Sequence, residues 1–144
     1  MLLGTYSVAF TSKHRVAVPS QFRKDLGEKF ILARWYEGCL VLVDRDFWNA
    51  LWQRLTGGEE IMVSPIRDTE RFIMASAYEV EADDQGRIVI PERLVLYAEL
   101  GESIVFLGIG DRVEIWDEAK WNEKEKMLIK EASKLVDKLA NDRR

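Results

Sequence analysis

Two stretches of this chain repeat one pattern. "HRVAVPSQFRKDLG", His14 to Gly27, and "GRIVIPERLVLYAELG", Gly86 to Gly101, each run from a turn residue and Arg through a short apolar strand. Each then reaches Pro, a helical stretch and a Leu-Gly stop. At a shift of 72 Tyr6 falls over Tyr78, Arg15 over Arg87, Val18 over Ile90 and Pro19 over Pro91. At a shift of 73 "CLVLVDRDFW" falls on "RVEIWDEAKW", with Asp44 over Asp117 and Trp48 over Trp121. This period is longer than that of most solenoid repeats, so the chain is two copies of one supersecondary unit, not an array. A half of this size buries too little surface alone. The expected fold is therefore α+β, with two repeated units sharing one pseudo-twofold β-barrel core flanked by helices.

Each unit reads strand, turn, strand, helix, strand, strand, helix. "RVAV" and "RIVI" are β-branched strands that stop at Pro19 and Pro91, residues suited to the first helical position. Gly86 supplies positive φ in its turn at low cost; His14 tolerates it less well. Asp44 and Asp117 stand where helix N-caps belong. "LTGGEEIMVSP" breaks the chain before a helical "IRDTERFIMASA", and a longer helix is expected from Glu118 to about Asn141. Along it Trp121, Leu128, Ala132, Leu135 and Leu139 form one stripe, expected to dock on its own domain or on a neighbouring subunit. The resulting division is a first repeat over 1–56, a helical connection over 57–76, a second repeat over 77–121 and the C-terminal helix over 122–144.

The 144 residues have a net charge of −4, and the total hides a segregation. Met1 to Phe30 carries +3, Ile31 to Ala77 −2, Tyr78 to Trp116 −6, and Asp117 to Arg144 +1. Any surface for a polyanion should lie in the first quarter. No apolar run approaches the ~20 residues of a membrane helix, and the start lacks signal-peptide features, so the chain is expected in the cytoplasm. Cys39, the single cysteine, excludes an intrachain disulfide and a cysteine-based zinc site and reads as a small apolar packing residue.

The opening "LLGTYSVAF", the turn "DDQGRIVIP", "GCL" before the Asp-capped helix and "LGIGDRVEIWDEAKW" together resemble the MraZ family of swapped-hairpin, AbrB-like regulators. In that family each half has a D-x-x-x-R turn followed by an apolar strand and Pro. Asp83, Gly86, Arg87 and Pro91 fit it in full. The first half departs, with Thr11 for Asp and His14 for a small turn residue, while Lys13, Arg15 and Pro19 match; "RWY" near Trp35 is a further departure. The resemblance implies a sequence-specific binder of double-stranded DNA that represses its own division and cell-wall gene cluster. It also implies repeated short upstream boxes, association with the nucleoid and a ring-shaped homo-oligomer.

The residues themselves support part of this. From Thr11 to Lys24 the chain has Lys13, Arg15, Arg23 and Lys24, and no acid. Such cations, with His14 and nearby hydroxyls, contact phosphate, and Arg on a β-ribbon can donate to guanine in the major groove. These five residues are the candidate DNA contacts. The second turn, "EVEADDQGR", is acidic, and Asp83 with Arg87 reads as a brace within it. Arg67 and Arg71 are expected to pair with neighbouring acids. The bland reading of the basic stretch is a solvated face.

Catalysis finds little support: His14 is the single histidine, Cys39 has no neighbouring base, and no metal-ligand, paired-carboxylate or phosphate-loop motif is present. No cofactor is implied. The alternative from another class is a ring-forming interaction scaffold that has lost or altered DNA binding. For it Trp52 would be an interface anchor, with Trp48 and Trp121 in the core.

Overall fold

The computed structural model describes residues 1–57 and 64–142, so most of the "LTGGEEIMVSP" break lies outside the described residues. The first half contains β1 (Leu2–Ala9), β2 (Arg15–Ala17), α1 (Ser20–Leu26), β3 (Lys29–Arg34), β4 (Leu40–Val43) and α2 (Arg45–Thr56). After α3 (Ser64–Ile73) the second half repeats the order as β5 (Tyr78–Glu81), β6 (Arg87–Val89), α4 (Glu92–Ala98), β7 (Ser103–Gly110), β8 (Val113–Asp117) and α5 (Glu118–Asp142).

The elements start where the side chains dictate. Asp44 Oδ1 accepts from Phe47 N at 2.7 Å to open α2, and Asp117 Oδ2 accepts from Lys120 N at 3.3 Å to open α5. Pro19 and Pro91 fall one position earlier than the sequence suggests, immediately before α1 and α4. Their carbonyls accept from Phe22 and Leu94 and start each helix.

Six strands form one antiparallel sheet in the order β1-β7-β8-β4-β3-β5, and β2 pairs with β6 in a separate ribbon. Exchanging each strand for its counterpart in the other half leaves this order unchanged. β1 lies on β7 with Val8 opposite Ile104, and β5 lies on β3 with Val80 opposite Phe30. At the centre β4 meets β8, with Val41 opposite Glu114. The expected closed barrel is not found. β1 and β5 are the two ends of the sheet, with no ladder joining them. The strands that could have continued the sheet, β2 and β6, are three residues long, stop at Pro19 and Pro91, and pair with each other instead.

Alternation along the strands splits the core in two. Phe30, Leu32, Leu40, Leu42, Ile104, Phe106 and Ile115 face the ribbon, α1 and α4, where Val16, Phe22, Ile88 and Leu94 complete one cluster. Ile31, Ala33, Val41, Val43, Val105, Leu107 and Trp116 face the other way, onto Leu51 and Ile73, with Trp48 and Trp121 packed alongside. Cys39 belongs to this second cluster; burial pushes its thiol pKa upward, and Sγ lies 3.3 Å from the Tyr36 carbonyl. With α2 and α3 on one face and the ribbon, α1 and α4 on the other, the sheet is the middle layer of an α+β fold. Among the described residues no helix is long and apolar enough to cross a membrane.

Candidate nucleic-acid interface

The turns before β2 and β6 are built alike. His14 N donates to Thr11 O at 3.0 Å and Gly86 N to Asp83 O at 2.9 Å. Thr11 Oγ1 accepts from Arg15 N at 3.2 Å, and Asp83 Oδ1 accepts from Arg87 N at 2.9 Å. Threonine thus preserves the backbone bond that the missing aspartate would make in the first turn. It cannot supply the charge: Arg87 Nε donates to Asp83 Oδ2 at 3.0 Å, and Arg15 has no carboxylate in its own turn.

The position before each arginine is left-handed, with φ of 58° at His14 and 76° at Gly86. A histidine therefore stands in a backbone state that glycine adopts at less cost. Its ring stacks on Phe10 at 5.6 Å and 10°. The exchange of residues between the halves accounts for the rest. A Cβ on Gly86 would lie 2.5 Å from Arg23 Cζ, so the absent side chain makes room for that guanidinium. At the position equivalent to Arg23 the second half has Val95, which lines one depression together with His14 and Phe10. A bulky turn residue goes with a small helix residue, and the reverse.

The two turns are tied to opposite ends of the ribbon, since Val18 N donates to Gly86 O at 3.0 Å and Ile90 N to His14 O at 2.8 Å. The register sets Arg15 opposite Val89, Val16 opposite Ile88 and Ala17 opposite Arg87. Val16 and Ile88 are buried, so the period of two points Arg15, Ala17, Arg87 and Val89 outward together. Arg15 and Arg87 are diagonal neighbours, at roughly the 7–8 Å typical of such a pair. Val89 between them is 51% exposed. The outward face of the ribbon is thus two arginines framing two small apolar residues.

Of the five candidate contacts, Lys13 and Lys24 are exposed and His14, Arg15 and Arg23 are half-buried. Arg23 and Lys24 lie in the last turn of the short α1. Arg23 Nε donates to the Val18 carbonyl at 3.1 Å, and its guanidinium packs on Gly86, so part of this cation is engaged in joining the halves. Arg87, expected from its acidic neighbours to be mainly a brace, makes that ion pair and in addition stands on the same face as Arg15. The sequence signal for this is the identical phase of Arg in "RVAV" and "RIVI". Arg71 pairs with Asp68 at 2.9 Å.

Asp83 carries a pH consequence. The Arg87 backbone N–H foremost, then Gln85 N–H and the guanidinium, hold its carboxyl below the ordinary 3.8. A depressed folded value means the turn's contribution is fully present above the unfolded value and is lost as pH falls through the folded one. Asp83→Asn should therefore melt earlier than the wild type at neutral pH. The gap should narrow below pH 3.8, as followed by circular dichroism. A gap that widened in acid would contradict this.

Fold and site together define a two-half α+β protein whose exposed feature is a short arginine-bearing β-ribbon. Its residues match the family described as "MraZ protein, putative antitoxin-like" over 1–62 and 73–144. A relative from Caldanaerobacter subterraneus subsp. tengcongensis, named "Transcriptional regulator MraZ", is 36% identical over 141 residues, 98% of each chain. Relatives of the same name from Leuconostoc citreum and Acetivibrio thermocellus are 41% and 40% identical, each over 84% of both chains. The chain belongs to the MraZ family. These relatives carry the name of a regulator of transcription and not of an enzyme. The solution structure of PHS018 from Pyrococcus horikoshii aligns over 80% of this chain and 88% of its own, with 10% identity and a TM-score of 0.33, a likeness too slight to build on.

Proposed function

We propose that this chain is a sequence-specific, double-stranded-DNA-binding transcriptional regulator of the MraZ type, with the outward face of the β2–β6 ribbon as its reading surface. The carrying observation is that one face presents Arg15 and Arg87 diagonally, and the other two outward residues of its strands, Ala17 and Val89, are uncharged. A two-stranded ribbon fits the major groove, where arginine recognises guanine and small apolar groups meet the thymine methyl. Lys13, His14, Arg23 and Lys24 supply phosphate contacts from one side, and Asp83 with Asp84 limits them on the other. The exchange symmetry of the strand order supports two swapped-hairpin repeats, 1–56 and 77–121, joined by 57–76 and followed by the helix over 122–144. In this reading the protein works in the cytoplasm on the nucleoid. It forms a ring of subunits and represses its own division and cell-wall cluster through repeated upstream boxes.

One ribbon is a weak site, and a ring makes later contacts intramolecular. Binding to the DNA upstream of this protein's own gene should fall steeply with salt, and a duplex with several boxes should bind about 100-fold or more tightly than a single box. Equal affinity for both duplexes would remove the ring from the account. Affinity indifferent to salt and sequence, in a folded and assembled protein, would favour the interaction scaffold.

A further inference from the structure

Among the described residues, the side-chain contacts that tie α5 to the rest of the chain lie near its start. Ser7 donates to Glu118 at 3.0 Å, Lys120 pairs with Glu99, Lys124 pairs with Glu37 at 2.9 Å, and Trp121 meets Trp116 at 5.5 Å. Beyond Lys124 no side chain of the helix is buried. Ile129 is 72% exposed, Val136 65% and Leu139 55%, with Leu135 exposed beside them. Short isolated helices are marginal in water, and an exposed apolar stripe on one costs further.

The pattern says what covers it. Leu128, Ala132, Leu135 and Leu139 follow four-three-four steps, the d, a, d and a positions of two heptads. Ile129 and Val136 are then e positions, and Glu131 and Lys138 are g positions. We infer that the stripe of α5 from Leu128, half-buried, through the exposed Ala132, Leu135 and Leu139 pairs antiparallel with the same stripe of a second copy of this chain. Antiparallel pairing layers a on d, so Leu128 meets the partner's Leu139 and Ala132 meets the partner's Leu135. In the same register g faces g and e faces e. Glu131 then meets the partner's Lys138, and Ile129 meets the partner's Val136. Every charged flank finds its opposite, and every apolar flank an apolar one. Parallel pairing would set Glu131 against the partner's Val136. Neither Glu131 nor Lys138 has an ion-pair partner among the described residues of its own chain.

The contact runs about 18 Å along the helix. It is self-complementary about a twofold axis, unlike the head-to-tail contact a ring needs. It depends on neither the DNA reading nor the ring. It would join two subunits, or two rings, through helices whose first turn packs Trp121 on the face of the sheet opposite the ribbon.

The test is disulfide cross-linking under mild oxidation between two single-substitution proteins, Ala132→Cys and Leu135→Cys. Both positions are exposed, so folding is preserved, and the native Cys39 is 1% exposed and does not compete. The mixture should give covalent dimer several-fold more abundant than either protein alone. Cross-linking of each protein with itself at the same yield would show parallel helices, and absence of covalent dimer would show that this stripe does not self-pair; either result overturns the inference. Sedimentation velocity on charge variants is an independent check. Glu131→Lys and Lys138→Glu should each weaken the association about three- to tenfold, and the double exchange should restore it. Failure of the double exchange to restore it overturns the register.

Discussion

Replacing Arg15 with alanine is expected to weaken binding to a duplex carrying one upstream box by about 10- to 100-fold, the range for one bidentate contact to guanine. On a duplex with several boxes the effect should be larger, because in the proposed ring each subunit would give up the same hydrogen bonds. The fold should be unaffected. Arg15 points outward from the ribbon while its backbone remains held by Thr11. Fluorescence anisotropy with a labelled duplex reads the affinity, and the melting temperature checks the fold. Lys13→Ala is a useful contrast. Removing a cation that meets phosphate at the turn should lower affinity for native and scrambled duplexes alike and flatten the salt dependence, whereas Arg15→Ala should also erase the preference between them. Unchanged affinity and preference in Arg15→Ala would mean that the first turn does not read DNA.

The largest effect on stability is expected at Gly108, which lies opposite Gly4 where β1 meets β7. A methyl group there would sit 2.5 Å from Leu3 N, 2.7 Å from Leu2 C and 2.8 Å from Leu3 Cα. All three are backbone atoms, so no rotamer change relieves the clash and the strands must part. Gly108→Ala should cost about 3 kcal/mol, as overpacking does in a closely fitted interior, which lowers the melting temperature by roughly 10 °C at this chain length. Thr5→Ala, exposed on the same β1 strand, should stay within about 1 kcal/mol. Differential scanning calorimetry separates the two outcomes. Equal melting temperatures for both variants would show that β1 does not lie as closely on β7 as described.

The matching order of elements in the two halves is legible in the sequence because turn, strand, proline and capping residues are local signals. Asp44 and Asp117 open helices as their positions suggest, and both strand pairs, β3 with β4 and β7 with β8, lie where short connections put them. What joins the halves is not legible. The pairing of β1 with β7 and of β5 with β3 spans long stretches of chain, and no residue in "TYSVAF" or "YEVEA" names its partner. The open sheet escapes for the same reason, since composition cannot say whether β2 and β6 extend the sheet or pair with each other.

At the candidate site the sequence shows the cations but not their surroundings. Arg23 reads as one more exposed charge, whereas in the fold it packs on Gly86 from the other half. Arg87 reads as a brace because its sequence neighbours are acidic, yet strand phase and cross-strand register place it beside Arg15. Charge in the sequence reports the neighbourhood along the chain, whereas the ribbon's surface is set by the neighbourhood across its two strands.

The claim that the outward ribbon face meets DNA is tested most directly at Ala17, which is opposite Arg87 and exposed on that face. Ala17→Glu adds one negative charge at an exposed position and leaves the backbone pairing of the ribbon in place. Anisotropy titration against the upstream duplex should show binding reduced by at least about 100-fold, through repulsion from phosphate and the closing of the arginines onto the new carboxylate, with the melting temperature and oligomeric state unchanged. Binding of Ala17→Glu at the strength of the wild type would contradict the account.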